Sequence, residues 1–192
     1  MIRVLIVDDH PAMRAGLTAV LRAEPGIVPL AAASASAPED LDQVVARHRP
    51  DVVVLDYHLP GTDGLRVCRR LKAMDRAPAV LLYSAYADAS LVIPAVLAGA
   101  DGLLNKSAPA PELFDALRSL ARGDRVLPPI PRELMTSASA VLGTDQLPVL
   151  AMVLDGTRTD EVADTLRTTT EDITRRLDDM IDRLRVELPA PA

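Results

Sequence analysis

Aromatic side chains are almost missing: tryptophan is absent, phenylalanine occurs once and tyrosine three times among 192 residues. A single-strand nucleic-acid surface built on stacked rings is therefore not expected, and leucine, valine, isoleucine and alanine must fill any core. Cysteine is as scarce. Cys68, alone, excludes an internal disulfide, and its place in the helical pattern Leu65, Val67, Cys68, Leu71 marks a small core residue rather than a nucleophile or ligand. No apolar run reaches the ~18 residues of a membrane span, and the opening MIRVLIVDD turns acidic too soon for a secretory signal. A cytoplasmic protein with no membrane partner is expected. Positive charge is short as well, and unevenly so. From Asp145 onward eleven acidic residues face six arginines, a net of −5, which leaves −1 of the overall −6 for residues 1–144.

What is present is a chain with 49% hydrophobic residues, enough for one ordinary domain and a small second one. Its organising stretch is Pro50 to Gly64, PDVVVLDYHLPGTDG. Val52 to Leu55 is a short, β-branched apolar run that reads as a central parallel strand. Asp56 ends it. A carboxylate there can simply cap a strand, so the other strand ends must decide its role. Ile2 to Val7 runs into Asp8-Asp9, and Pro11 opens a helix with Met13, Leu17, Val20 and Leu21 inward. Ile27 to Ala32 is a weak strand, Ser36 opens a helix bearing Leu41, Val44 and Val45, and Gly64 to Met74 is another helix. Ala79 to Tyr83 is a strand ending in Ser84. Leu103 to Lys106 is the last strand, and Glu112 to Arg122 the last helix of this part.

Strands alternating with helices predict an α/β fold, a doubly wound five-stranded parallel sheet covered on both faces. Asp8, Asp9, Asp56, Ser84 and Lys106 then meet at one sheet edge, where such folds place their ligands. Three clustered carboxylates favour a small hard cation, and Mg²⁺ takes oxygen ligands with retained waters. A lysine and a hydroxyl beside that cation suit the equatorial oxygens of a phosphoryl group attacked in line by the remaining carboxylate.

The VDD after the first strand, LDYHLPGTDG around Asp56, YSAY after the fourth strand and GADGLLNKSAPAPELFDALR around Lys106 resemble the flavodoxin-like receiver domain of two-component response regulators, over residues 1–122. The resemblance implies Asp56 as phosphoacceptor, Asp9 as direct Mg²⁺ ligand, Asp8 as ligand through water, and the backbone carbonyl of His58 as a further ligand. Lys106 would pair with the phosphoryl group and Ser84 would donate a hydroxyl. His58 is then a loop side chain and no general base. Receivers usually carry Tyr or Phe three residues before the lysine, where this chain has Leu103, so an altered switch readout is expected. Pro94 interrupts the helix expected over Asp88 to Ala98, predicting a helix that begins near Pro94 and leaves residues 88–93 loose.

Residues 123–143, with Pro128, Pro129 and Pro131, read as a linker with a helical turn near Arg132 to Met135. Residues 144–188 read as three helices. Thr144 or Asp145 caps the first, with Leu147, Leu150, Ala151 and Leu154 inward and Gly156 as its stop. Thr159 caps the second, which buries Val162, Ala163 and Leu166. Thr169 with Asp172 forms a capping pair for the third, which buries Ile173, Leu177, Met180, Ile181 and Leu184. The pattern resembles the small all-α, LuxR-type helix-turn-helix domain of the NarL/FixJ class, in a degenerate form without an evident fourth helix. Where that family presents positive donors, this chain has Thr174, Asp178 and Asp182 on the third helix and Thr159-Asp160 at the second helix start. Arg175 and Arg176 are candidate DNA contacts, or else a solvated face paired with Asp172 and Asp179.

The function expected is that of a phosphorelay response regulator, phosphorylated on Asp56 by a sensor histidine kinase and regulating transcription through its helix-turn-helix. It would be no enzyme beyond weak autophosphatase activity, and would form a homo- or heterodimer. DNA is disfavoured as a partner by the acidic tail. The alternative is a signalling adaptor whose acidic effector domain binds protein, and a hydrolase of the phosphatase type is a weaker third.

Overall fold

Five apolar runs pair edge to edge into one parallel sheet in the computed structural model, which describes residues 1–30, 38–85 and 87–187. The strands are β1 (Ile2–Val7), β2 (Ile27–Pro29), β3 (Val52–Asp56), β6 (Ala79–Ser84) and β7 (Gly102–Asn105), in the spatial order β2-β1-β3-β6-β7. A two-stranded hairpin, β4 (His58–Leu59) with β5 (Thr62–Asp63), follows β3. Its turn is Pro60-Gly61, where proline supplies the fixed φ of the first corner and glycine the φ of +73° at the second. Strand order reverses between β1 and β3, so the crevice at their carboxyl ends is the fold's ligand position.

The flanking helices are α1 (Pro11–Ala23), α2 (Pro38–His48), α3 (Gly64–Lys72) and α5 (Ala110–Ala121). Side chains alternate across a strand. Val4, Ile6, Val52, Val54, Leu81 and Tyr83 therefore share one face, buried with Leu17 and Leu21 of α1 and with Leu113, Leu117 and Leu120 of α5. Leu5, Val53, Leu55 and Leu82 face the other way and are equally buried. There α3 packs on β3 and β6, burying all four expected residues, Cys68 included. Burial in apolar surroundings pushes the Cys68 thiol far up, as suits a core residue. In α1 the expected stripe is narrower than read. Leu17 and Leu21 are buried, whereas Val20 is exposed.

The chain divides into two compact units, Met1–Ala87 with Gly99–Leu127, and Asp88–Ala98 with the chain from Pro128 on. The second unit holds α4 (Ala89–Leu97), α6 (Arg132–Val141), α7 (Leu147–Leu154), α8 (Thr159–Leu166) and α9 (Thr170–Glu187). Within it α4 packs on α7 and α9, α6 on α9, and α8 on both α7 and α9.

Two expectations fail here for identifiable reasons. Residues 88–93 are not loose: the helix starts at Ala89 and runs through Pro94. Asp88 caps it by accepting from the Ser90 N–H, and Leu91 through Leu97 are all buried. Apolar burial of about 25 cal/mol per Å² outweighs the one backbone bond that proline removes. The segment read as a linker with one helical turn contains the ten-residue α6, which begins after Pro131 and buries Ala138. Its Thr-Ser-Ala-Ser-Ala run carries too little hydrophobic contrast to announce a helix; packing on α9 supplies the stability.

Helix ends in this unit also differ in detail. Neither Thr144 nor Asp145 caps α7; Gln146 holds that position, buried, and its Oε1 accepts from the Gly143 N–H at 3.1 Å. Val149 is buried and Ala151 exposed, so the inward stripe of α7 is rotated from the one expected. Gly156 follows that helix with φ +92°, the left-handed stop anticipated for it. Thr159 is the first residue of α8 rather than its cap, and the Glu161 carboxylate accepts from the Arg158 N–H at 3.2 Å. Thr169 does cap α9, accepting from the Asp172 N–H at 3.1 Å. All five residues expected inward on α9 are buried. The end of the weak strand at Ala31-Ala32, the helix start at Ser36, Tyr86 of the YSAY motif and the Pro189-Ala-Pro-Ala segment lie outside the described residues.

Candidate functional site

β1 and β3 are buried on both faces, so the first polar residue after each apolar run emerges at the same sheet edge. Asp8 is 2% exposed and Asp56 3% exposed. Buried charges this close need a counter-charge, and Lys106, just past β7, provides it. Its ammonium lies 2.8 Å from Asp8 Oδ2 and 2.8 Å from Asp56 Oδ2. Backbone donors take the other oxygens: the His10 N–H donates to Asp8 Oδ1 at 2.7 Å and the His58 N–H to Asp56 Oδ1 at 3.2 Å.

The lysine is held at its own backbone. Its N–H donates to the Ser84 carbonyl at 2.9 Å, and the buried Tyr83 hydroxyl donates to its carbonyl at 3.3 Å. Ser84, fully buried at the end of β6, pairs in register with Asn105. The loop after Asp56 is fixed by a close approach: a Cβ on Gly64 would fall 2.5 Å from the Asp56 carbonyl oxygen and 2.7 Å from Tyr57 Cα.

The two buried carboxylates titrate apart. Burial raises Asp56 above the usual carboxylate range, and the adjacent Lys106 ammonium and the His58 N–H offset this only in part. Asp8 suffers burial too, but hydrogen bonds from Lys106 and the His10 N–H outweigh it and hold the carboxyl low. Burial lowers the Lys106 ammonium, yet its pairing with Asp56 and Asp8 leaves it raised and firmly charged. Asp8 is therefore the permanent partner of Lys106, while Asp56 is the carboxylate least satisfied in its place.

Whether the residues suit a cation is answered by their unsatisfied oxygens. Asp9 Oδ1 and Asp56 Oδ2 are buried and accept no hydrogen bond, and ligand atoms of Asp8, Asp9, His10 and Asp56 lie within 4.8 Å of one another. Oxygen-rich, tightly spaced donors fit a hard divalent ion. Of the expected residues the structure brings together Asp8, Asp9, Asp56 and Lys106. His58 has an exposed side chain, its ring set edge-on to Tyr57 with centroids 4.7 Å apart. Leu103 is buried.

Three residues escaped the reading of the sequence. His10 sits in the cluster, Arg14 Nη1 donates to the Asp8 carbonyl at 2.7 Å, and Tyr83 anchors Lys106. The available signal was spacing: His10 follows the acidic pair directly, and Arg14 lies one helical turn beyond it.

The candidate DNA contacts are placed otherwise. Arg175 is paired with Asp172 Oδ1, and Arg176 Nε lies 2.8 Å from Asp172 Oδ2. At the start of α8, Asp160 binds Arg158 at 2.9 Å. Asp178, Asp179 and Asp182 are exposed on α9. Among the described residues no helix is long and apolar enough to cross a membrane.

The response regulator receiver domain matches residues 4–118. The transcriptional regulatory protein LiaR of Bacillus subtilis (strain 168) is 26% identical over 196 residues, covering 97% of this chain and 92% of LiaR. The response regulator UvrY of Escherichia coli (strain K12) is 30% identical over 176 residues, covering 86% of this chain and 80% of UvrY. Among solved structures, the response regulator ChrA of a heme-sensing two-component system is 28% identical with a TM-score of 0.56, covering 97% of this chain and 98% of ChrA. The chain belongs to the response regulator receiver family. Within it, the chain is a two-component transcription regulator of the NarL/FixJ type.

Proposed function

We propose that Asp56 is the phosphoacceptor of this regulator, taking a phosphoryl group from the phosphohistidine of a sensor kinase with Mg²⁺ in the pocket of Asp8, Asp9 and the His58 carbonyl. The observation that supports this most is the state of Asp56 itself: a buried carboxylate with one oxygen accepting no hydrogen bond, set against a half-buried lysine. That oxygen attacks phosphorus in line, the bond to the kinase imidazole breaks, and the imidazole keeps the electron pair. A bound Mg²⁺ supplies Lewis-acid neutralisation of the phosphoryl oxygens. Lys106 gives up Asp56 for the new dianion, and the Ser84 hydroxyl donates to it. Because Lys106 is tied through its backbone to Ser84 and Tyr83, its displacement reaches the end of β6. The next helix after β6 in the chain is α4, a member of the helical unit. With Leu103 in place of an aromatic ring, this route rather than ring rotation carries the signal. The boundaries that follow are a receiver over 1–122, a connecting segment over 123–143 and an effector over 144–188, in a cytoplasmic protein that forms a homo- or heterodimer. Hydrolysis of the acyl phosphate is at most a slow side activity.

The effector admits a second reading, favoured by Asp172. DNA binding depends on cations that displace counterions from phosphates, and Asp172 occupies both Arg175 and Arg176. A protein or a heterodimer partner then reads the acidic face of α9. The test of the shared part is labelling of the full chain from a small phosphodonor with and without Mg²⁺. Label is expected only with Mg²⁺ and not on the Asp56→Asn variant; equal labelling of that variant would place the acceptor elsewhere.

A further inference from the structure

We infer that His10 is a nitrogen ligand of the divalent ion in this pocket, so that the site prefers ions of the Mn²⁺ to Co²⁺ range over Mg²⁺. The inference rests on the reading of Asp8, Asp9 and Asp56 as a metal pocket. His10 Nδ1 lies 2.8 Å from Asp9 Oδ1 and 3.4 Å from Asp8 Oδ1. Without an ion the ring is placed to pair with both carboxylates, yet Asp9 Oδ1 is buried and accepts no aligned hydrogen bond. The two atoms are close without being aimed at each other. Two ligands of one ion behave in this way: at ~2.1 Å from a common centre they stand about 3.0 Å apart on an octahedral edge and about 3.4 Å apart in a tetrahedron.

The ring is not spent on capping the helix. His10 occupies the N-cap of α1 but its side chain makes no capping bond. Its backbone is fixed by the N–H bond to Asp8 Oδ1 and by Pro11, which sets the ring over the pocket mouth. Its side chain is 69% exposed, so turning Nδ1 to an ion costs little burial. Imidazole binds Co²⁺, Ni²⁺ and Zn²⁺ far better than Mg²⁺, which retains oxygen ligands and water. With Mg²⁺, which retains water, His10 would be left out of the ligand set.

The test uses the full chain and two measurements. In electron spin-echo spectra of bound Mn²⁺, a directly coordinated ¹⁴N is expected in the native protein and absent in His10→Gln. In calorimetric titrations His10→Gln should lose about tenfold or more in Co²⁺ affinity, as loss of a ligand-sphere group does, with little change for Mg²⁺. Asp9→Asn should weaken all three ions. Absence of the ¹⁴N coupling in the native protein, or a His10→Gln change equal for Co²⁺ and Mg²⁺, would overturn the inference and leave the pocket intact. Divalent binding unaffected by Asp9→Asn would overturn the pocket reading itself, and the inference with it.

Discussion

Asp8 and Asp56 share a lysine and are equally buried but differ in protonation tendency, and the difference is a matter of hydrogen bonds. Asp8 gains a short bond from the His10 N–H and from Lys106, whereas Asp56 has only the longer bond from the His58 N–H and an unaligned ion pair. A folded-state pKa above the unfolded one means that ionising Asp56 opposes folding. The cost is absent below the ordinary carboxylate range, near pH 4, and grows as pH rises through the higher folded value. Asp56→Asn is therefore expected to raise the melting temperature at pH 7 without divalent ions, with the gain vanishing near pH 3. Thermal melts at the two pH values check this; destabilisation at pH 7 would mean that Lys106 needs both carboxylates. Lys106→Met, in contrast, leaves two buried acids without their cation and should cost roughly 3 kcal/mol at pH 7. Denaturant unfolding measures it. Gly64→Ala should lower both stability and phosphorylation rate, because the added Cβ meets backbone rather than a side chain that can turn away.

At the scale of elements, the junction of α8 and α9 contains a strained residue whose relief is measurable. Arg167 ends α8 in the left-handed region at φ +54°. A side chain there costs about 1 kcal/mol that glycine does not. Arg167→Gly is thus expected to stabilise the chain by up to about that amount in denaturant titrations. The same elements show what the sequence made legible. Strands flanked by breakers and ending in acids were plain because burial on both faces leaves no room for polar residues until the strand stops. The α9 stripe was plain because five apolar residues repeat at helical spacing. The site followed from the strands: once β1 and β3 are adjacent and parallel, Asp8, Asp9 and Asp56 have nowhere else to meet. Illegible were features decided by tertiary packing. Pro94 breaks helices in water but not where Leu91 to Leu97 are buried on every side, and α6 lacks the contrast that a pattern needs. His10, Arg14 and Tyr83 escaped because each acts through a neighbour's backbone or carboxylate rather than through a motif of its own.

For the whole molecule, charge decides what the helical unit can read. Arg158 at the start of α8 is bound to Asp160, Arg175 and Arg176 on α9 are bound to Asp172, and exposed Asp178 and Asp182 add repulsion toward phosphates. The phosphorylated full chain is expected to bind random duplex DNA weakly even at low salt. Replacing Asp178 and Asp182 by lysine should raise affinity and steepen the slope of log K against log salt by about 2, one for each new phosphate contact. Tight, steeply salt-dependent binding by the unmodified chain would show that Arg175 and Arg176 leave Asp172 for phosphate, and would favour DNA over a protein partner.

Everything downstream depends on where the phosphoryl group sits, and an acyl phosphate can be trapped chemically. Borohydride reduces it to the alcohol, which turns an acceptor aspartate into homoserine that peptide mass spectrometry locates. After treatment of the full chain with a small phosphodonor and Mg²⁺, homoserine is expected at position 56, with Asp8 and Asp9 unchanged. Homoserine at position 8 or 9, or a label that survives reduction on another side chain, would contradict the assignment of Asp56.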